Sequence, residues 1–214
     1  RSRGLGDVYK RQVLVRERGR AMAEAASRTA TSMTAVIGGD ADEVLAAIEA
    51  AGLTPANHNG KGQVVAAGTV EQLEAFAAKP PSRTRLFPLS VAGAFHTVHM
   101  EPAVDHLREV AAAMPTTTPS VALLSNLDGN VVTDGREFAN RLVNQVAHPV
   151  RWDLCMDTMV ERSVTGLLEL APAGTLTGIA KRNLKGVELF NLNTPDQIPA
   201  AREFVAAHSS KENA

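Results

Sequence analysis

The chain has 214 residues, 44% hydrophobic and 21% charged, with a formal net charge of −1. That length holds one large domain or two modest ones around a substantial core, and the near-neutral balance gives no global field toward nucleic acid or an anionic membrane. A single cysteine excludes an internal disulfide framework and a multi-cysteine metal site; with no apolar run near the roughly 20 residues of a membrane span and no signal-peptide pattern, the cytoplasm is the expected compartment.

Residues 1–12, RSRGLGDVYKRQ, lack apolar periodicity, and DVYKRQ translates GATGTGTATAAGAGACAG, the end of a transposon used to prepare sequencing libraries. They are expected to be largely a non-native sequencing scar, with the natural protein beginning well upstream. Residues 13–30 carry Leu14, Val15, Arg18, Met22 and Ala25 at helical spacing and read as a helix. Residues 32–39, SMTAVIGG, read as a strand stopped by two glycines. A helix follows in DADEVLAAIEAAG, with Asp40 as N-cap, Glu43 at the capping-box position and Gly52 as the stop. LTPANHNGKGQVVAAG reads as two strands around an Asn/Gly turn, TVEQLEAFAAKPP as a short helix, and RTRLFPLSV as a strand. The order β-α-β-β-α-β over residues 31–90 predicts a ferredoxin-like small subdomain, inserted in a larger one.

Beyond it, PAVDHLREVAAAM reads as a helix, and PSVALLSNLDGNVVTDG as a strand, an Asp128-Gly129 turn and a short strand. REFANRLVNQVAHPVRWDLCMDTMVERSV gives two helical stretches interrupted at Pro149. TGLLELAP reads as a buried strand, GTLTGIAKRNL as a helix and GVELFNLN as a strand, before a last helix opened by Thr194 and Pro195. This alternation over residues 91–208 predicts an open α/β sheet covered on both faces. Residues 209–214 read as a solvated tail.

In SVAGAFHTVHMEP, His96 emerges after a strand expected to be buried, at the end where α/β sheets place ligands. Position leaves two readings open, a base or a packed core residue. Of the other histidines, His106 and His208 are expected at the surface, and His96 with His99 lacks the spacing of a zinc site, so no metal is expected. A base needs a nucleophile, yet no G-x-S-x-G elbow occurs, and Ser90 and Ser125 lack the flanking glycines such a turn requires. Cys155, between Leu154 and Met156, reads as a buried, inert thiol. Arg18 shares a helical face with Leu14 and Met22: either it grips an anion or its stem covers apolar surface. Gln145 lies near a proline-terminated helix end, where free carbonyls can accept from an imidazole N–H.

LVRERGRAM, PANHNGKGQVVAAG, PLSVAGAFHTVHMEPA, LLSNLDGNVVTDG, RLVNQVAHPVRW and LLELAPAGTLTGIAKR, in that order from about Leu14 to about Leu192, resemble the bacterial malonyl-CoA:acyl-carrier-protein transacylase family. The resemblance implies an α/β-hydrolase-like large subdomain, incomplete in these residues, with a ferredoxin-like insertion. It implies ping-pong acyl transfer from malonyl-CoA, through a malonyl-serine, to the phosphopantetheine thiol of an acyl carrier protein, with no cofactor. His96 matches the family's base, Gln145 the residue whose backbone carbonyl orients it, and Arg18 the arginine pairing with the malonyl carboxylate. Phe95 matches the form associated with malonyl over methylmalonyl selection, and Asn126 is expected near the cleft as a substrate-binding residue. Asn57, Asn59 and Gln63 match a polar motif read as mainly structural. The family's G-H-S-x-G elbow and oxyanion loop lie upstream of the Arg18 helix, so the chain is expected to be an inactive, poorly soluble fragment. LAPAGTLTG replaces the commoner VGPG form, and EAFAAKPP shortens a helix, neither touching the chemistry. The carrier protein is acidic, and Lys61, Lys79, Arg83, Lys181 and Arg182 are candidates for its dock. Two alternatives remain: an acyltransferase domain of a polyketide or multifunctional fatty-acid synthase, and a non-catalytic ferredoxin-like binding module.

Overall fold

The computed structural model describes residues 8–209. Residues 1–7 of the expected scar and residues 210–214 of the expected tail lie outside them. The chain forms two compact units, one ending at Cys155 and the other starting at Met156.

In the first unit, α1 (Val8–Ala26) leads into β1 (Thr31–Gly38), α2 (Ala41–Ala50), β2 (Thr54–His58), β3 (Gln63–Thr69), α3 (Val70–Ala78) and β4 (Thr84–Pro88). The strands pair in the order β4-β1-β3-β2, all antiparallel, and β7 (Val150–Arg151) adds to β2 in parallel. Period-2 alternation divides the side chains. Val36 and Ala66 join Val44, Ile48, Leu73 and Phe76 of the helices in one core, while Met33, Ala35, Val65 and Ala67 face Ala94 in another. Asp40 caps α2 by accepting from the Asp42 and Glu43 N–H groups, as its position predicts. The reciprocal capping box closes instead at α3: Gln72 N–H donates to Thr69 Oγ1 at 3.2 Å, and Thr69 N–H to Gln72 Oε1 at 2.8 Å.

Two expectations are corrected here. Among the described residues β4 is an edge strand hydrogen-bonded only to β1, so it is not buried; Phe87 is 45% exposed. The later strands do not form one open sheet among the described residues. β5 (Leu123–Leu124) and β6 (Val131–Val132) make a two-residue ladder around the Asp128-Gly129 turn. Gly129 has φ +74°, and a Cβ there would sit 2.5 Å from the Leu154 carbonyl, so the turn admits only glycine without displacement.

A helical core joins α1 to a 3-10 turn (Val98–Ala103), α4 (Val104–Ala112) and α5 (Gly135–Asn144) through Leu14, Met22, Met100, Leu107, Ala139 and Val143. Each large apolar side chain buried there contributes about 1.5–3 kcal/mol. Arg136 closes α4 by donating to the Ala111 and Met114 carbonyls, both at 2.6 Å. Cys155 is buried, and burial raises its thiol to about 11, well away from thiolate reactivity at neutral pH.

After α6 (Trp152–Glu161), the second unit holds β8 (Gly166–Leu170), α7 (Thr175–Asn183), β9 (Glu188–Leu192) and α8 (Ile198–His208), with β8 and β9 parallel. Contrary to the reading of TGLLELAP as buried, β8 pairs only with β9 among the described residues, and Leu170 is 58% exposed. His208 is also more enclosed than a surface site: it is half-buried, its ring lies 4.5 Å from that of Phe204, and its Nδ1 meets Thr165 Oγ1 at 2.9 Å.

Glu169 on β8 caps α7 across space. Its carboxylate accepts from the N–H groups of Gly174, Leu176 and Thr177 at 2.8–2.9 Å and from the Thr177 hydroxyl at 2.9 Å. Burial pushes the carboxyl upward, but the Thr177, Leu176 and Gly174 N–H bonds, helped by that hydroxyl, hold it at about 2, against 4.5 when unconstrained. A depressed carboxylate stabilises the fold above its unfolded pKa, and that stabilisation is lost as pH falls through the folded value. Glu169→Gln is therefore expected to cost about 1–3 kcal/mol at pH 7. Thermal melts of both proteins should differ fully above about pH 5 and converge toward pH 2. A gap that stays constant across this range would remove the role given to the charge.

Candidate active site

A cavity of about 620 Å3 opens in the first unit between α1, the sheet and the loop after β4. Arg18, Met22 and Ala26 line it from α1, Met33 from β1, Asn57 from β2, and Leu89, Phe95 and His96 from the loop. β2 carries a bulge between Pro55 and Asn57, where a proline without an N–H cannot complete the ladder. Asn57, expected to be mainly structural, thereby lines the cavity. Asn126 does not: its carbonyl accepts from the Arg151 N–H at 2.7 Å, holding the β5–β6 turn against β7.

β4 ends at Pro88, so His96 stands eight residues later, in a loop rather than at the strand end. Buried polar groups pin that loop. Ala94 N–H donates to Thr31 Oγ1 at 2.9 Å, the Thr97 hydroxyl to the Ala94 carbonyl at 2.7 Å, and His96 N–H to the Val146 carbonyl at 3.2 Å. Gly93 lets α1 approach, since a Cβ there would lie 2.9 Å from that of Ala26. His96 itself has φ +63°, a left-handed conformation that is uncommon for non-glycine residues and recurs at functional sites. Thr31, Thr97 and Gly93 carried no sequence signal, because isolated hydroxyls and glycines gain meaning only from what they touch.

The structure brings Arg18, Phe95, His96 and Gln145 together. α5 ends at Asn144, and the Gln145 carbonyl beyond it, which accepts from the His148 N–H at 3.4 Å, lies 2.9 Å from His96 Nδ1. The Gln145 side chain reaches the same nitrogen with Nε2, at 2.8 Å, and its Oε1 accepts from Arg18 Nη2 at 3.4 Å. Phe95 packs against both the helical core and the sheet core, fixing one wall. Arg18 is half-buried and makes no ion pair among the described residues; burial lowers its pKa, a sign of a guanidinium held partly out of water. Burial likewise lowers the His96 pKa; the Gln145 carbonyl opposes the shift and the Arg18 charge adds to it. The imidazole is therefore neutral at pH 7, and its Nε2 has no hydrogen bond among the described residues. A neutral imidazole and an unpaired guanidinium in one cavity can accept a proton and hold a carboxylate.

Among the described residues no group of three His, Cys, Asp or Glu side chains is placed to hold a metal ion, and no helix is long and apolar enough to cross a membrane.

Residues 11–204 match the model of the acyl transferase domain family. A malonyl CoA-acyl carrier protein transacylase of Mycobacterium tuberculosis is 48% identical over 182 residues, which are 85% of this chain and 60% of that protein. The chain thus spans about three-fifths of the length of that relative. The crystal structure of an MCAT from Mycobacterium tuberculosis superposes with a TM-score of 0.89 at 44% identity, covering 92% of this chain and 66% of that one. A malonyl-transacylase solved in complex with a type II PKS acyl-carrier protein gives a TM-score of 0.85 at 30% identity, with 94% and 67% covered. The mixed α/β architecture with a central sheet is shared with these structures.

Proposed function

The chain belongs to the acyl transferase domain family, and on that premise we propose that it carries the base and the carboxylate receptor of a malonyl-CoA:acyl-carrier-protein S-malonyltransferase of fatty-acid synthesis. The observation carrying this reading is that Arg18 and His96 line one cavity and both reach Gln145. Two relatives with malonyl transacylase in their names or titles support the substrate, and one of them was solved with an acyl-carrier protein.

In this reading Nδ1–H of His96 donates to the Gln145 carbonyl, which leaves the Nε2 lone pair to take the proton of an elbow serine. The serine oxygen attacks the malonyl thioester carbonyl, the C–S bond breaks, and the imidazolium returns the proton to the departing coenzyme A thiolate. The phosphopantetheine thiol then repeats the sequence on the malonyl-serine, with no cofactor required. The Arg18 fork pairs with the malonate carboxylate through two parallel hydrogen bonds. Phe95 occupies the volume an α-methyl branch would need. The elbow serine is supplied from outside these 214 residues, since none of them forms a G-x-S-x-G turn.

Residues 31–90 would be the ferredoxin-like subdomain, a reading supported by the strand order β4-β1-β3-β2. Residues 13–30 and 91–208 would belong to an α/β-hydrolase-like subdomain, residues 1–12 would be the scar, and the cytoplasm would be the site of action.

The test is a chimera in which the elbow-bearing N-terminal segment of the 48%-identical relative is joined ahead of Val13. Radiolabelled malonyl-CoA is expected to leave a covalent malonyl ester on the chimera, transferable to a holo carrier protein, and no adduct on the 214-residue chain. A folded chimera without the ester would remove the proposal.

A further inference from the structure

The Gln145 side chain lies between the two groups that the proposed reaction uses. A guanidinium can only donate, so the end of the amide that meets Arg18 Nη2 at 3.4 Å is Oε1. The other end, the NH2 group, then faces His96 Nδ1 at 2.8 Å and donates to its lone pair. The backbone carbonyl of the same residue stands 2.9 Å from the same nitrogen and can only accept. One ring nitrogen cannot satisfy both. With Nδ1 unprotonated the carbonyl is left facing a lone pair, and the ring proton sits on Nε2, where it blocks proton acceptance from a nucleophile. With Nδ1 protonated the carbonyl is satisfied, Nε2 is free, and the amide NH2 faces a donor.

We propose that the Gln145 side chain is a positioning residue that couples occupation of Arg18 by a carboxylate to the tautomer of His96. While Arg18 has no carboxylate, its bond to Oε1 aims the amide NH2 at Nδ1 and favours the Nε2–H tautomer, which cannot act as a base. A carboxylate displaces Oε1 from the guanidinium because it brings a full opposite charge and two parallel N–H···O bonds against one long bond, 3.4 Å, to a neutral amide. The amide then turns about its Cγ–Cδ bond and presents Oε1 to Nδ1–H beside the backbone carbonyl. One proton leaves Nε2 for water and one arrives at Nδ1, so the ring stays neutral. The base is thus armed by the carboxylate it is meant to serve, and a thioester without a carboxylate meets an unarmed histidine. This rests on the assignment of Arg18 as the carboxylate receptor.

The test needs no turnover. In the elbow-bearing chimera, with its elbow serine replaced by alanine and its histidines 15N-labelled, the nitrogen shifts of His96 (identified by its loss in His96→Asn) report which nitrogen carries the proton. The unliganded chain is expected to show the Nε2–H form. Arg18→Met and Gln145→Ala, which remove the two parts of the link separately, should each move the population to mostly Nδ1–H without ligand. Malonyl-N-acetylcysteamine should do the same in the unaltered chain, and acetyl-N-acetylcysteamine should not. Mostly Nδ1–H in the unliganded chain, or no change in both variants, overturns the coupling. If the variants shift the tautomer and the malonyl probe does not, the coupling stands and the assignment of Arg18 to malonyl falls.

Discussion

Replacing His96 with asparagine in the elbow-bearing chimera is expected to lower malonyl transfer about 10^2–10^4-fold, the range that a positioned general base contributes. Asparagine suits this test because it tolerates the left-handed backbone that His96 adopts at φ +63°. Its fold, read by thermal melting, should therefore stay close to that of the parent, and the loss should appear in the rate. The partly desolvated imidazole explains the size of the effect: burial favours its neutral form, the one from which a base can be drawn, and the loop bonds of Thr31, Thr97 and Val146 fix its direction. Added free imidazole should restore part of the rate in His96→Ala, where a cavity replaces the ring. A loss under tenfold in the asparagine variant would return His96 to the status of a packed loop residue.

The second large effect concerns selectivity. Arg18→Met keeps the apolar stem in the helical face with Leu14 and Met22 but removes the fork. Losing one partner of a partly buried ion pair costs about 2–4 kcal/mol, which is roughly 30–1000-fold in kcat/KM for a malonyl thioester. An acetyl thioester, without a carboxylate, should lose nothing, so the preference between the two narrows by at least the same factor. Arg18→Lys should recover only part of the malonyl rate, since a single ammonium replaces a planar fork. Equal losses on both thioesters would mean that Arg18 supports the cavity wall and does not read the substrate.

Most of the element order was legible because it depends on neighbours in sequence. Asp40 before an apolar helical face, paired glycines after an apolar run and Pro195 at a helix start each act within a few residues. Strand neighbours were not legible in the same way. That β4 takes an edge, and so exposes Phe87, depends on which strands claim the two sides of β1, and no property of RTRLFPLSV encodes that. The candidate site divides along the same line. The amino-acid order brought out Arg18, His96 and Gln145 in their local settings, and resemblance added Phe95 and gave the four a common purpose. It ranked Asn126 above Asn57, which the bulge at Pro55 reverses by turning Asn57 into the cavity.

The order of residues along the chain places an arginine on the apolar face of a helix and a histidine among small residues after a strand, and it contains no elbow serine to accompany them. Folding alone brings the Gln145 side chain between Arg18 and His96, partners separated from it by 127 and 49 residues. The physical reason is that capping and periodicity are satisfied inside one turn of chain, whereas a shared hydrogen-bond partner exists only once helices and loop have packed. Their packing is set by volume and burial, to which every core residue contributes and which no single motif records.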